Sequence, residues 1–255
     1  MIRSRTNPLI KRVRGVRAGK EAGTILLEGE RLVVDAIKAG LSLEVALVDE
    51  GRVGLGDRLH REGISCRGVE AEVLASASAL DTSPGVLALA PLPRTGRLEE
   101  VSVSEDTLLL VVAGVSDPGN LGALARAAEG AGVAAICVIE GGARPFGEKA
   151  LRGSMGSLLR LPVIPASDAS ELGKRLRDMG VRQVAAATRG GAPWRSFDWS
   201  GAVALWVSGE TGELPQIDPA PEPVTIPMAG AVESLNVTVA ASLLLFAAGR
   251  AEGSG

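Results

Sequence analysis

Tyrosine is absent from the sequence, and histidine occurs once, at His60. A phenol base is therefore excluded everywhere, and an imidazole base everywhere except around residue 60. Cysteine is limited to Cys66 and Cys137, which have no C-x-x-C spacing and no ligand cluster nearby. That argues against a zinc site or a redox pair, and both read as core thiols in a reducing cytoplasm. No uninterrupted apolar run reaches the ~18 residues of a membrane-spanning helix. The charged N-terminus lacks the apolar segment of a secretory signal. The expectation is a cytoplasmic, metal-free chain with no membrane partner.

Apolar residues make up 46% of the 255 and charged residues 22%, the balance of a globular chain long enough for two ordinary domains. The net charge of −3 argues weakly against a polyanionic partner. Its distribution points the other way. Residues 1–20 contain Arg3, Arg5, Lys11, Arg12, Arg14, Arg17 and Lys20 and no acidic residue. Such a block attracts phosphate and makes binding salt-sensitive.

Residues 25–95 read as a small α/β unit. Strands are expected at 25–27, 45–48 and 86–90, and helices at 30–39, 57–62 and 71–80, with Gly40 placed to terminate the first helix. Pro91 to Asp106 has the composition of a connection. From Thr107 the pattern changes to longer apolar strands at 108–113, 134–139, 181–187, 203–207 and 224–226. Helices fit at 121–132, 149–158, 169–179 and 234–250. Continuous apolar strands alternating with helices imply a parallel sheet covered on both faces.

Three loops at the carboxyl ends of those strands carry polar residues. The first, Asp117 to Gly122, leads into a helix for which Asn120 is a candidate N-cap and which carries Arg126 among small and apolar neighbours. It does not read as a dinucleotide site, because no G-x-G-x-x-G is present and only Glu140 stands near a ribose-binding position. The second, Ser208 to Pro215, combines glycines with the acceptor Glu210. The third, Ile226 to Asn236, sets Ser234 and Asn236 at the mouth of an apolar helix, where unpaired N–H groups favour a polar ligand or phosphate. In an open α/β sheet, ligands collect at this edge.

The wording of these loops is more specific than their composition. DPGNLGALARAAEGAG, LWVSGETGEL and IPMAGAVESLNVTVA resemble the three signatures of the SpoU/TrmH-type RNA 2′-O-ribose methyltransferases of the SPOUT superfamily. The intervening ALRGSMGSLLRLPV is similar to the family's helix between the first two. Asn7-Pro8 through Arg17, Glu28 to Arg31 and Thr82 to Val86 resemble an L30e-like substrate-binding domain. The second signature departs from the family at Ser208 and Glu213, where glycines are usual, which predicts an altered loop.

The resemblance implies an α/β chain in four parts. These are an L30e-like domain over 1–95 with a basic N-terminal arm, a linker over 96–106, a SpoU domain with a mostly parallel sheet and a deep trefoil knot over 107–250, and a disordered tail over 251–255. It implies transfer of a methyl group from S-adenosylmethionine to a ribose 2′-hydroxyl of RNA, with 23S ribosomal RNA the expected substrate. A tRNA substrate and a non-catalytic ribosome-assembly factor are the alternatives. It assigns catalysis to Asn120, Arg126, Glu210, Ser234 and Asn236. Cofactor contacts fall to Thr188, Gly209, Ile226, Met228 and Leu235, and RNA contacts to Arg3, Arg5, Lys11, Arg12, Arg14 and Arg17. A homodimer with active sites at the subunit interface is implied, the arginine coming from the partner.

Overall fold

The computed structural model describes residues 1–209 and 214–249. Glu210, expected to be catalytic, and the expected disordered tail 251–255 lie outside the described residues, as does Arg250. The chain forms two α/β units, each built on its own sheet.

The first unit runs α1 (Pro8–Arg17), β1 (Thr24–Glu28), α2 (Glu30–Lys38), β2 (Val45–Asp49), α3 (Val53–Arg61), β3 (Cys66–Val69), α4 (Ala71–Ala75) and β4 (Val86–Pro91). Its strands lie in the order β1-β4-β2-β3. β4 is antiparallel to both neighbours, and β2 and β3 are parallel. The basic block is not a free arm. Asn7 accepts from the Leu9 N–H at 2.9 Å, Pro8 supplies the preset φ of a first turn, and α1 buries Ile10, Val13 and Val16 on one face. Gly40, at φ +81°, ends α2 as its position predicted.

In this unit one expected helix is shorter and one strand was not expected, each for a local reason. The helix expected over 71–80 stops at Ala75. Ser76 Oγ turns back to the Val73 carbonyl at 2.6 Å and Ser78 Oγ accepts from the Leu80 N–H at 3.0 Å, offering the backbone an alternative to helix. β3 escaped the sequence pattern because Arg67 and Gly68 at its centre are exposed and carry no apolar alternation. Cys66 is only half-buried, not a core thiol, whereas Cys137 is enclosed.

The second unit comprises β5 (Leu108–Ala113), α5 (Pro118–Gly130), β6 (Ala135–Ile139), α6 (Glu148–Ser154), α7 (Ser157–Arg160), β7 (Val163–Ala166) and α8 (Ala169–Asp178). It continues with β8 (Arg182–Ala187), β9 (Ala192–Pro193), β10 (Val203–Ser208), β11 (Glu222–Thr225) and α9 (Val237–Ala248). The strand order is β7-β6-β5-β10-β8-β11-β9, and every pairing is parallel. Alternate residues of β5 divide between the two faces. Leu108, Leu110 and Val112 pack with Leu121 and Leu124 of α5 and Leu244 and Leu245 of α9. Leu109, Val111 and Ala113 pack with Leu172 and Leu176 of α8. The sheet is therefore covered on both sides, as its unbroken apolar strands require.

The single helix expected over 149–158 is split. Met155 and Gly156 have φ of +51° and +86°, a left-handed pair that separates α6 from α7. β7 was hidden by its flanking Pro162 and internal Pro165, which fit because it is an edge strand. The connection between the units is docked: Leu98, in a 3₁₀ turn over Leu98–Glu100, is buried against the α8 side of the sheet. Among the described residues, no helix is long and apolar enough to cross a membrane.

Candidate active site at the carboxyl edge of the parallel sheet

β5, β10, β8 and β11 lie side by side and parallel, so their carboxyl ends open on one edge. There the loops after β8, β10 and β11 meet the first turns of α5 and α9 around a cavity of about 340 Å³. That is within the range of small-molecule sites, about 300–1,000 Å³. Thr188 enters from the loop after β8, Gly209 from the end of β10, and Ile226 and Met228 from beyond β11. Ser234, Leu235 and Asn236 close the cavity from the approach to α9, and Asn120 reaches it from α5.

The two helix starts are fastened to each other. Asn236 caps α9, its Oδ1 accepting from the Thr238 N–H at 2.9 Å, while its Nδ2 donates to Asn120 Oδ1 at 3.3 Å. Thr238 Oγ1 donates to the Asn120 carbonyl at 3.4 Å. Ser234 stands two residues before the cap and is exposed on the cavity wall. Asn120 is not the N-cap of α5. That place belongs to Asp117, whose Oδ1 accepts from the Asn120 N–H at 2.9 Å. Asp117-Pro118 is the local signal, an acceptor followed by proline at the first helical position.

Asp117 Oδ2 accepts from Lys149 Nζ of α6 at 2.6 Å. The hydrogen bond from Lys149, then that from the Asn120 N–H, hold the Asp117 carboxyl below the ordinary aspartate value. Lys149 was not legible as a site-supporting residue, because its contact depends on α5 and α6 lying together. They do so closely. A side-chain carbon on Gly122 would lie 2.4 Å from the Ala150 carbonyl oxygen. Gly209 is similarly constrained: a side-chain carbon there would lie 2.1 Å from the Gly114 carbonyl oxygen. Only glycine lets the loop after β10 lie on the loop after β5. Ser208, the departure from the signature, is the half-buried last residue of β10, and Glu213 lies outside the described residues.

Arg126 is elsewhere. It is exposed on α5, has no hydrogen-bonding or ionic partner among the described residues, and is not part of the cavity wall. The basic block also divides. Arg12 is paired with Glu21 and Glu44, the latter at 2.6 Å. Arg14 donates to Ser76 Oγ at 2.8 Å, and Arg17 pairs with Glu148 at 2.9 Å. These three are turned to neighbouring structure by the packing of α1. The side chains of Arg3, Arg5 and Lys11 are exposed without such partners among the described residues.

Residues 107–246, which hold all three loops, match the SpoU rRNA Methylase family. The chain belongs to that family. Residues 7–88 of this SpoU methyltransferase match the MRM3-like substrate binding domain. The chain is 31% identical over 251 residues to the 23S rRNA (guanosine(2553)-2′-O)-methyltransferase RlmP of Bacillus subtilis strain 168, covering 96% of this chain and 97% of the relative. The AdoMet-bound rRNA methyltransferase from Sinorhizobium meliloti is similar with a TM-score of 0.85 at 27% identity, covering 97% of this chain and 96% of that one. The SpoU methyltransferase AviRb from Streptomyces viridochromogenes, solved in complex with AdoMet, gives 0.84 at 25% identity, with 95% and 97% covered.

The cavity of this SpoU methyltransferase suits such a group. Ile226, Leu235 and Leu244 offer apolar surface for a planar base, and Asn120, Thr188, Ser234 and Asn236 add polar side chains to the wall.

Proposed function

We propose that the protein transfers a methyl group from S-adenosylmethionine to a ribose 2′-hydroxyl of 23S ribosomal RNA, in the cytoplasm, as a homodimer. The observation that carries this reading is the convergence of Asn120, Ser234 and Asn236 with Thr188, Gly209, Ile226, Met228 and Leu235 around one cavity. The match of residues 7–88 to a substrate binding domain and the similarity to RlmP support a ribosomal substrate. The deep trefoil knot implied by the family signatures is part of the same reading.

When bound, S-adenosylmethionine supplies a methyl carbon already activated by its sulfonium. Thr188, Gly209, Ile226, Met228 and Leu235 would hold it. The remaining task is to set the ribose oxygen in line with that carbon and assist loss of its proton. His60 lies on α3 of the first unit, and the Cys137 thiol, buried in β6, is pushed up to about 12 by desolvation. Neither serves as the base. A guanidinium is a donor, so Arg126 grips the phosphate of the target nucleotide and steadies the developing oxyanion while water takes the proton. Asn120, Ser234 and Asn236 orient the ribose by hydrogen bonds, and to Glu210, outside the described residues, the family resemblance assigns the fixing of Arg126 across the dimer.

The dimer supplies Arg126 to the cavity of the partner. α9 is apolar on its outer face, where Val239, Leu243 and Phe246 are 48%, 37% and 59% exposed. Phe246 lies against Gly130 of α5, so the patch adjoins the helix bearing Arg126. Apolar helix faces of this kind require a cover, and a second copy provides one.

Incubation with labelled S-adenosylmethionine and unmethylated 23S RNA is expected to label one ribose, mapped as an alkali-resistant linkage. Cofactor binding without transfer to any RNA would make the protein an assembly factor, and labelling of tRNA alone would change the substrate.

A further inference from the structure

Where the two units meet, a charge cluster lies outside the transfer chemistry. Glu28 ends β1 with its side chain 0% exposed. Its Oε1 accepts from Ser78 Oγ at 2.5 Å and from the Ala79 N–H at 3.0 Å, both within the first unit. Its Oε2 faces the second unit and accepts from Arg152 Nη1 of α6 at 3.1 Å. Arg17, at the end of α1, lies 3.6 Å from the same oxygen. Arg17 also donates to Glu148 of α6, from Nε at 3.0 Å and from Nη2 at 2.9 Å, and to the Ala77 carbonyl.

Two charges of each sign thus interlock across the junction. Movement of one unit against the other would take Arg152 from the enclosed Glu28 carboxylate and Glu148 from Arg17, leaving Glu28 only the more distant Arg17 cation of its own unit, a costly state. Apolar packing continues around the cluster, with Ile25 and Leu27 of β1 sharing one buried group with Leu158 and Leu159 of α7. The connecting segment is held as well: the Gly96 N–H donates to the Val163 carbonyl at 2.8 Å, and Glu99 pairs with Arg175. Beyond the junction, α6 packs on α5 at Gly122 without room for a side chain. A rigid path therefore runs from the first unit to the helix that carries Asn120 and Arg126.

We propose that Arg17, Glu28, Glu148 and Arg152 are positioning residues that lock the first unit at one angle on the methyltransferase unit. The substrate is accordingly a folded RNA gripped by both units at once, rather than a short single strand. This inference rests on the RNA methyltransferase reading. A fixed handle incurs little ordering cost on binding, but it accepts only an RNA whose recognition element and target ribose are already held at the matching distance.

The test uses the full chain with Arg152→Met and Arg17→Met, followed by small-angle X-ray scattering, S-adenosylmethionine binding, and methyl transfer to folded 23S RNA across a salt series. Both variants are expected to broaden the distribution of distances between units. Cofactor affinity should stay within about twofold while KM for folded RNA rises about tenfold with kcat retained, because the ordering cost falls on RNA binding. The slope of log affinity against log salt should not change, whereas Arg5→Met should lower it by about one phosphate contact without altering the scattering. Arg152→Lys, which keeps a cation beside Glu28, should recover most of the KM. A lowered salt slope in Arg17→Met or Arg152→Met would make them phosphate ligands and overturn the proposal, as would unchanged scattering. Equal wild-type transfer to a short oligonucleotide and to folded RNA would overturn the substrate assignment. Wild-type inactivity on every RNA would remove the methyltransferase reading instead, with scattering still deciding the lock.

Discussion

Arg126 stands on α5 with no partner among the described residues, although its neighbours Leu124, Ala125 and Ala128 are buried. A lone guanidinium facing outward beside an apolar patch fits a group reserved for a second subunit and its RNA. Replacing it with alanine is expected to lower turnover about 10²- to 10³-fold, the loss typical of one oxyanion donor. Labelled-methyl transfer and calorimetry should show S-adenosylmethionine affinity within a few-fold of wild type. Loss of cofactor binding would make Arg126 a support of the pocket. Of the residues on the cavity wall, Gly209, Ile226, Met228, Ser234, Leu235 and Asn236 were nameable from the wording of the second and third loops, whereas Thr188, after β8, was named by family resemblance alone. The partners of the basic block were not. Glu21, Glu44 and Glu148 meet Arg12 and Arg17 only after α1 has packed, and charge counting along the chain is blind to that.

α5 shows how one helix is fixed at both ends. Asp117 caps its start and ties it to Lys149, while Glu129 near its end accepts from Ser157 Oγ at 2.6 Å and from Arg160 Nε at 2.6 Å. The hydrogen bond from Arg160, then that from Ser157, hold the Glu129 carboxyl below its ordinary value of 4.5. A carboxyl depressed in the folded state binds its proton more readily once unfolded, so its stabilisation is full above 4.5 and fades as pH falls through the folded value. Urea midpoints followed from neutrality downward should therefore drop less steeply below that pH in Glu129→Gln than in wild type. Parallel curves would remove this pair from the account. The strands β5, β6 and β10 were legible because each is an almost unbroken apolar run between turn residues, and β8 because Val181 and Val184 to Ala187 flank its Arg182-Gln183. β9 was not, being a two-residue edge pairing of Ala192 and Pro193. The break at Met155 was also hidden, because a non-glycine residue in the left-handed region is set by its surroundings rather than by its own preference.

At the scale of the molecule, two units, a docked connection and an outward apolar face on α9 stand out, a form that suits the proposed dimer. The two-unit division was readable from the change in strand length near Thr107. The tightness of the junction was not, since Glu28 and Arg152 are far apart in sequence and meet only in the fold. Under the proposed reading, the cavity of one subunit works with Arg126 of another. Arg126→Ala and Asn236→Ala, each inactive alone, should complement when their subunits are mixed and exchanged. In a two-fold dimer half the random pairs are mixed, and one of the two sites in each is intact, giving about one quarter of the wild-type transfer rate. Mixtures that stay as inactive as either parent, with exchange confirmed, would contradict the shared site.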